Sequence, residues 1–333
     1  MDPILSIKNL NVDIPLATGN LHAVRDVSFS VERQETFCLV GESGCGKSIT
    51  AMSTMALLPK RAIHFANAIN FAGIDLQSLS NREMADIRGN RISMIFQEPM
   101  TCLNPAYTIG NQLTETLRRH RSVNQSEARE RAAFWLDKVG IPTASARLDQ
   151  YPHQLSGGLR QRVMIAMALM CGPELIIADE PTTALDVTIQ AQILQLLSDL
   201  QDKLKLSLVL ITHDLGVVAR VADHIAVMYA GQIVETGTTE EIFSMPLHPY
   251  TQGLFRCIPV PGKKQRGSHL GSIPGIVPTL IGEISGCSFA NRCPYATNSC
   301  SSEDAIMTSI TPGRGYRCHL DVETCCGNIE KGL

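Results

Sequence analysis

A glycine-rich segment at positions 41–48 is the first candidate for chemistry, because its sequence is GESGCGKS. This spacing matches the complete phosphate-binding loop (P-loop) pattern G-x-x-x-x-G-K-[ST], although a chance glycine-rich turn is the alternative. Glycines allow backbone N–H groups to surround phosphates, the lysine reaches the β- and γ-phosphates, and the final hydroxyl binds Mg²⁺. Ser48 is therefore a predicted Mg²⁺ ligand. The predicted nucleotide-binding residues are Gly41, Glu42, Ser43, Gly44, Cys45, Gly46, Lys47 and Ser48.

Two adjacent acids, Asp179 and Glu180, follow the apolar run 175–178. A carboxylate at the end of a buried strand can hold Mg²⁺ through its water shell, and a neighbouring acid can polarise an attacking water. Paired acids after a strand are common and usually carry no chemistry. Here the two acids lie about 130 residues beyond a complete P-loop, and the two motifs together indicate a nucleotide site far more specifically than the acids alone. We predict that Asp179 binds Mg²⁺ and that Glu180 is the catalytic base.

A third motif, Ser156-Gly157-Gly158, stands at the start of an apolar helical stretch. The hydroxyl and the free amides of such a helix start can bind an anion, helped by the helix dipole. The same residues could instead cap the helix and allow close packing. The residues of this motif alone leave both interpretations open.

Four of the eleven cysteines, Cys287, Cys293, Cys300 and Cys318, are separated by five, six and seventeen residues. In a reducing compartment, such clustering favours metal ligation over disulfides. Four thiolates suit a tetrahedral zinc or an iron–sulfur cluster, and their spacing does not choose between them. Unligated thiols are the alternative. Cys325 and Cys326 lie outside this set, and His319 is predicted to be an exposed neighbour of Cys318.

The elements that must position these residues follow an α/β pattern with a helical insertion. The first forty residues alternate like strands, and the run 37–40 leads through the glycine loop into a helix predicted over 49–58. Wholly apolar runs predict central strands covered on both faces at 175–178 and 208–211, with a helix at 187–204 between them, and 92–96 is a further candidate for a buried strand. Most of 108–171 has helical periodicity, and Ser126 is a predicted N-cap.

The composition of the 333 residues excludes some classes of protein. A net charge of −3 and few aromatic residues give no basis for nucleic-acid binding. No apolar run approaches the length of a membrane span, and the first residues lack a secretory pattern, so we expect a cytosolic chain. After about residue 245 prolines and glycines increase, and Lys263, Lys264 and Arg266 form a basic stretch. We predict a catalytic domain at 1–245, with its helical subdomain at about 98–171, and an extension at 246–333.

Taken together, the motifs resemble those of the ATP-binding cassette (ABC) family. The segment LSGGLRQ at 155–161 is similar to the family signature, which makes Ser156, Gly157 and Gly158 nucleotide-binding residues. The resemblance further implies that Gln97 senses Mg²⁺ and the γ-phosphate, that Asp186 belongs to the D-loop 184–186, and that His213 is the switch histidine. It extends from residue 3 to about 245. It implies a P-loop core with an antiparallel β-subdomain and a helical subdomain.

Two further segments resemble the dipeptide, oligopeptide and nickel importers within that family. They are EPMTCLNP at 98–105, with Cys102 where serine is usual, and HPYT at 248–251. This resemblance implies that the irregular C-terminal extension carries a [4Fe–4S] cluster, with zinc the less favoured metal. One departure concerns the adenine base: residues 13–20 contain no aromatic to stack on it, and His22 is a weak substitute.

The resemblance implies an ATPase subunit that powers uptake of peptides or a related small solute. Its implied partners are a second ABC ATPase subunit (a paralogue), two membrane permease subunits and, through them, an extracytoplasmic solute-binding protein. It would lie peripherally on the cytoplasmic face of the inner membrane. The alternatives are a cassette ATPase of DNA repair or translation, and a redox-sensing protein. The first typically needs a long coiled coil or paired cassettes, and intact Glu180 and His213 argue against the second.

Overall fold

The computed structural model of the chain describes residues 2–183, 185–257, 272–282 and 284–330. These residues form two compact units. The first unit comprises the described residues of Met1–Ile4, Val31–Thr36 and Ala72–Ile211, and the second those of Leu5–Ser30, Phe37–Phe71 and Thr212–Leu333.

Strands and helices alternate from β8 to β10, and elsewhere several strands or several helices follow one another. The strands are β1 Leu5–Leu16, β2 Gly19–Val31, β3 Thr36–Val40, β4 Ile63–Phe65, β5 Ala68–Phe71, β6 Ile74–Asp75, β7 Ile92–Ile95, β8 Leu175–Asp179, β9 Ser207–Thr212, β10 His224–Tyr229, β11 Gln232–Thr238, β12 Met307–Thr311 and β13 Arg314–Arg317. The helices are α1 Lys47–Thr54, α2 Asn81–Ile87, α3 Pro99–Cys102, α4 Ile109–His120, α5 Gln125–Lys138, α6 Ala144–Arg147, α7 Gly157–Leu169, α8 Val187–Leu204, α9 Leu215–Val221, α10 Thr239–Ser244, α11 Pro249–Arg256, α12 Asn298–Ser302 and α13 Val322–Glu330. Short 3₁₀ turns lie at Leu76–Ser78, Pro152–Gln154 and Ala290–Arg292.

The core of the first unit is a set of parallel strands. β8 pairs in parallel with β7 on one side and with β9 on the other. Every residue of β8 and β9 is buried, as expected for strands covered on both faces. The predicted central strands at 175–178 and 208–211 are therefore confirmed, and the further candidate at 92–96 forms β7.

The helical part of the first unit runs from α3 to α7, and α5 packs against α4 and α7. Asn124, rather than Ser126, caps α5: its side chain accepts the N–H of Glu127 at 3.0 Å, and Glu127 accepts the N–H of Asn124 at 3.2 Å. The predicted cap at Ser126 is wrong. Only Asn124 has a glutamate three residues later that can complete this reciprocal capping box.

The second unit contains the expected antiparallel β-subdomain, in which β1 pairs antiparallel with both β4 and β5. It also contains β3, which pairs in parallel with β10. β3 leads through the P-loop into α1, so the predicted strand, glycine loop and helix are present. The helix ends at Thr54, earlier than the predicted residue 58, and Ala56 just beyond it has a left-handed φ of 48°.

The C-terminal extension is more regular than the sequence predicted. β13 pairs with β11 and β12, all antiparallel, and Leu247, Tyr316 and Cys325 form a small buried core. The extension therefore shares the second unit with the P-loop. A functional boundary at residue 245 stays a prediction, and the basic stretch Lys263, Lys264 and Arg266 lies outside the described residues. Among the described helices, none has the length and apolar character needed to cross a bilayer.

Candidate functional site

The P-loop has a backbone that only glycine can adopt at two of its positions. Gly46 has a φ of 104°, and a Cβ there would lie 2.5 Å from the carbonyl oxygen of Ala23. A Cβ on Gly41 would lie 2.1 Å from the carbonyl oxygen of Met228. Both contacts are far below any real carbon–oxygen contact, so side chains at these positions would displace the loop. The glycines of the motif are needed for shape as well as for access to phosphate.

Lys47 begins α1, and its buried ammonium group is held by the loop itself. Its Nζ donates to the carbonyl oxygens of Gly41 at 2.8 Å and Glu42 at 3.0 Å. The N-cap residue of α1, Gly46, makes no side-chain hydrogen bond to the first turn of the helix. The charge and the helix N-terminus together form the kind of site that binds phosphate. Ser48 lies half-buried in the first turn of the same helix.

Asp179 and Glu180 lie at the end of β8, as the sequence predicted. Asp179 is buried and Glu180 follows it with a left-handed φ of 44°. Gln97 Nε2 donates to Glu180 Oε2 at 3.1 Å, and Thr183 Oγ1 donates to the same oxygen at 2.8 Å. The structure thus brings two predicted catalytic residues, Gln97 and Glu180, into direct contact. It also fixes the orientation of the glutamate carboxylate.

The serine–glycine motif fits both interpretations that the sequence left open. Ser156 is exposed and caps α7, with its hydroxyl accepting the N–H of Leu159 at 3.4 Å. A Cβ on Gly158 would lie 3.0 Å from the Cγ2 atom of Ile189, so this glycine also permits close packing. Asp186 caps α8 by accepting the N–H of Ile189 at 3.0 Å, and Ala184 of the D-loop lies outside the described residues.

His213 is exposed and directly follows β9, while the next residue, Asp214, caps α9. The P-loop and His213 belong to the second unit, and Gln97, residues 156–158, Asp179, Glu180 and Asp186 belong to the first. The predicted base-stacking substitute, His22, is half-buried on β2, where its Nδ1 lies 2.7 Å from Asp13 Oδ1. Its ring is therefore already engaged in a polar contact.

The four predicted metal-binding cysteines line one small cavity, together with His248, Phe289 and Leu320 among others. The N–H of Cys287 donates to the carbonyl oxygen of Cys300 at 2.7 Å, which ties two of the four segments together. Burial raises the pKa of Cys287, and it raises the pKa of Cys293 to about 11. Buried thiols of this kind ionise only beside a positive charge such as a metal. We call Cys287, Cys293, Cys300 and Cys318 the cysteine group.

Within the described part of the chain, no three or more His, Cys, Asp or Glu side chains are spaced to hold one metal ion. The geometry of the cysteine group therefore does not by itself support the predicted iron–sulfur cluster or zinc, and that assignment stays a prediction. His319 is exposed, as predicted for this neighbour of Cys318, and its Nε2 lies 3.0 Å from the carbonyl oxygen of Glu303.

Sequence reasoning missed three residues that contact the predicted site. Thr183 binds Glu180, and its position three residues later in a turn is the only local signal. Tyr250 accepts the N–H of Glu42 at 2.9 Å through its hydroxyl, and Arg292 forms an ion pair with the Glu42 carboxylate at 2.7 Å. Tyr250 and Arg292 lie more than 200 residues beyond Glu42, so no local pattern could predict these contacts.

Comparison with known proteins supplies an independent assignment. The model of the ABC transporter family matches residues 24–183, and that of the oligopeptide/dipeptide transporter C-terminal region matches residues 234–300. The chain is 53% identical to the dipeptide transport ATP-binding protein DppD of Bacillus subtilis (strain 168), over 98% of this chain and 95% of that protein. It is 48% identical to DppD of Escherichia coli (strain K12), over 96% of this chain and 97% of that protein.

A solved structure agrees with these matches. The dimeric, post-hydrolysis ATP-binding cassette MJ0796, bound to ADP and Pi, superposes with a TM-score of 0.63 and 26% identity, covering 71% of this chain and 98% of that one. The α/β cassette fold predicted from the sequence is therefore confirmed. With near full-length relatives at about half identity, this chain belongs to the ABC transporter family of ATPases, in the branch that carries the oligopeptide/dipeptide transporter C-terminal region.

Proposed function

We propose that this chain hydrolyses ATP to power the uptake of peptides, or of a related small solute, through membrane permease subunits. One observation carries the catalytic part of the proposal: the Glu180 carboxylate is held in one orientation by Gln97 and Thr183. The transport part is supported by relatives that are named as dipeptide transport ATP-binding proteins and match over nearly their whole length.

In this proposal the P-loop binds the phosphates. Lys47 exchanges its loop carbonyl partners for the β- and γ-phosphate oxygens, and the N-terminus of α1 adds its dipole. Ser48, Asp179 and Gln97 would hold Mg²⁺, which neutralises charge on the phosphates when it is bound. The buried position of Asp179 at a strand end and the hydroxyl of Ser48 suit an oxygen-preferring ion.

Hydrolysis then requires an oriented water. Glu180 Oε1 or Oε2 accepts a proton as the water oxygen attacks the γ-phosphorus, and the bond between that phosphorus and the β–γ bridging oxygen breaks. In the family that this chain resembles, the switch histidine contacts the γ-phosphate. His213 would take that role here, and its exposed position after β9 leaves it accessible. Asp186, which caps α8, belongs to the loop that completes the site.

We further propose that two cassettes act together, with residues 156–158 of one chain closing over the P-loop of the other. The exposed hydroxyl of Ser156 at the start of α7 supports this role, because it is accessible to a second chain. Ser156→Arg should then stop turnover at the partner's P-loop and leave nucleotide binding by this chain unchanged. Nucleotide occupancy at each site of the assembled pair distinguishes the two sites, and loss at this chain's own P-loop would contradict the arrangement.

The remaining partners follow from the same proposal. They are a second ABC ATPase subunit, paralogous to this chain, two permeases and a solute-binding protein that docks outside the membrane. The chain would lie on the cytoplasmic face of the inner membrane, bound to the permeases. Affinity purification of the native complex tests this composition, and recovery of the chain without any permease would contradict it.

The cysteine group is proposed to hold a structural [4Fe–4S] cluster. The four thiols line one cavity, which brings ligands from separate segments of the extension to a common place. An all-sulfur ligand set also suits iron–sulfur chemistry and excludes Mg²⁺ or Ca²⁺. When bound, the cluster would order the segments that carry its ligands.

Uptake of a labelled dipeptide tests the transport proposal. Cells that lack this chain should import the peptide only when the wild-type chain or the control variant Glu130→Gln, an exposed acid on α5, is restored. Glu180→Gln should fail to restore uptake, because the oriented carboxylate is lost. Uptake that is equal with and without the wild-type chain would overturn peptide import as its function.

A further inference from the structure

Glu42, the second residue of the P-loop, is bound by the C-terminal extension through both its side chain and its backbone. Arg292 donates from Nη1 to Glu42 Oε2 at 2.7 Å and from Nη2 to Oε1 at 3.1 Å. The hydroxyl of Tyr250, on α11, accepts the backbone N–H of Glu42 at 2.9 Å. A bidentate pair of this kind fixes direction as well as distance.

The Arg292 side chain is buried and hydrogen-bonded, so its position is well defined before it contacts Glu42. Its side chain is only 5% exposed. Its Nε donates to the carbonyl oxygen of Pro274 at 3.1 Å, and its Nη2 donates to that of Ile273 at 3.2 Å. The guanidinium also lies 5.7 Å from the centre of the Tyr229 ring. These partners fix the orientation of the guanidinium, and the bidentate ion pair in turn fixes the orientation of the Glu42 carboxylate.

On its other side, Glu42 contacts the lysine that binds phosphate. The carbonyl oxygen of Glu42 accepts from Lys47 Nζ at 3.0 Å. A continuous set of contacts therefore runs from Arg292 through Glu42 to Lys47, all within the second unit.

The same set of contacts begins in the segment that carries two cysteines of the cysteine group. Arg292 closes the 3₁₀ turn Ala290–Arg292 and directly precedes Cys293. The N–H of Ala290 donates to the carbonyl oxygen of Cys287 at 2.9 Å, so Cys287 starts the turn. We call residues 287–293 the brace segment. Disorder in the brace segment would therefore displace the Arg292 guanidinium, which binds the Glu42 carboxylate.

We propose that Arg292 is a positioning residue for nucleotide binding, through which the brace segment holds the P-loop in its phosphate-binding shape. The inference rests on the proposed role of the P-loop and adds a means of regulation. Whatever orders the brace segment strengthens nucleotide binding, and whatever disorders it weakens nucleotide binding. By thermodynamic linkage, the nucleotide must in turn order the brace segment.

Glu42→Gln separates this proposal from a simple effect of charge. Removing a negative charge beside a phosphate site, and leaving Arg292 unpaired there, would strengthen nucleotide binding if charge alone mattered. If the contact between Arg292 and Glu42 holds the P-loop in shape, its loss in Glu42→Gln should instead weaken nucleotide binding. The substitution is nearly isosteric, Glu42 is 29% exposed, and Arg292 keeps its two carbonyl partners, so the fold should survive.

Equilibrium binding of MgATP to the full chain tests the proposal. Glu42→Gln and Arg292→Gln should each weaken MgATP affinity about tenfold, and the double variant should be no weaker than either single one, because both break one interaction. Asp26→Asn is the matched control, since Asp26 pairs with another arginine of the extension, Arg317, at 2.8 Å and does not belong to the P-loop. Its affinity should equal that of the wild type.

Amide hydrogen exchange supplies a readout that does not depend on turnover. MgATP should slow exchange across residues 287–293 in the wild type and in Asp26→Asn, and should leave it unchanged in Glu42→Gln at saturating nucleotide. The proposal would be overturned if Glu42→Gln bound MgATP as tightly as the wild type or more tightly. It would also be overturned if MgATP slowed amide exchange across residues 287–293 equally in that variant and in the wild type. Failure of the wild-type chain to bind MgATP would instead overturn the proposed role of the P-loop.

Discussion

The P-loop and the cysteine group lie in the same compact unit but are built from different parts of the chain. The P-loop consists of consecutive residues between β3 and α1, and most of its donors are backbone N–H groups shaped by glycines. The cysteine group consists of side chains drawn from residues 287 to 318 around one cavity. Apart from Lys47 and the glycines that shape the loop, a site built from backbone should tolerate changes of side chain, whereas a site built from side chains should depend on each of them.

Lys47→Ala should produce the largest effect on either region, because Lys47 is the one P-loop side chain predicted to reach the β- and γ-phosphates. Loss of a charge-assisted hydrogen bond costs about 1.5–3 kcal/mol, so MgATP affinity should fall about 100-fold. Equilibrium binding of a fluorescent nucleotide measures this. Binding within a factor of about three of the wild type would mean that the backbone alone holds the phosphates.

Cys287→Ser should have the next largest effect, and it should appear directly in the metal content of the chain. The anaerobically purified wild type should contain about four iron and four sulfide per chain, and the variant should contain almost none. Ser43→Ala, in the P-loop, should keep the full amount. Zinc in place of iron would keep the four-cysteine site and reject the cluster, while wild-type protein without metal would reject both.

Cys325 and Cys326 sharpen the comparison, because they are adjacent cysteines outside the proposed ligand set. Their place outside this set predicts from the sequence alone that serine at either position changes little. Cys325, however, is fully buried beside Leu247 and Tyr316, whereas Cys326 is half-buried. Burying a hydroxyl there should lower the free energy of unfolding by about 1–3 kcal/mol for Cys325→Ser, against less than about 0.5 kcal/mol for Cys326→Ser.

Denaturant unfolding under anaerobic conditions measures both variants, with iron content as the check that neither residue is a ligand. Equal loss of stability in the two variants would contradict the core position of Cys325. Loss of iron in either variant would move that residue into the cysteine group.

Ser43→Ala should produce the smallest effect, because the side chain of Ser43 is exposed and the loop is expected to bind phosphate through its backbone. MgATP affinity should change less than about threefold, since most exposed substitutions cost within about 0.5 kcal/mol. A tenfold loss would show that this side chain contacts the nucleotide directly.

Contiguous patterns in the sequence predicted most of the cassette. The runs at 92–96, 175–178 and 208–211 contain the parallel strands β7, β8 and β9, because short runs rich in apolar residues favour strands buried between two layers. Local patterns also predicted the strand, loop and helix around Lys47. The N-cap of α5 was misassigned because both Asn124 and Ser126 favour that position, and only the reciprocal Glu127 decides between them.

Contacts between segments that are distant in the sequence could not be predicted from local sequence patterns. Proline and glycine content suggested an irregular extension, yet β13 gains its regular structure by pairing with β11, which lies some 80 residues earlier. The Glu42–Arg292 pair spans 250 positions, and nothing near either residue marks it. For the same reason, the spacing of the four cysteines could not show that they line one cavity with His248.

The central claim is that this ABC ATPase binds ATP through the P-loop and hydrolyses it through Glu180. Its most direct test compares ATP occupancy with ATP turnover for Glu180→Gln in the assembled pair of cassettes. We predict occupancy equal to that of the wild type and turnover reduced at least about 100-fold, because removing a positioned general base costs about 10²–10⁴ in rate. Turnover near the wild-type rate with ATP still bound would contradict the assignment of Glu180 as the catalytic base.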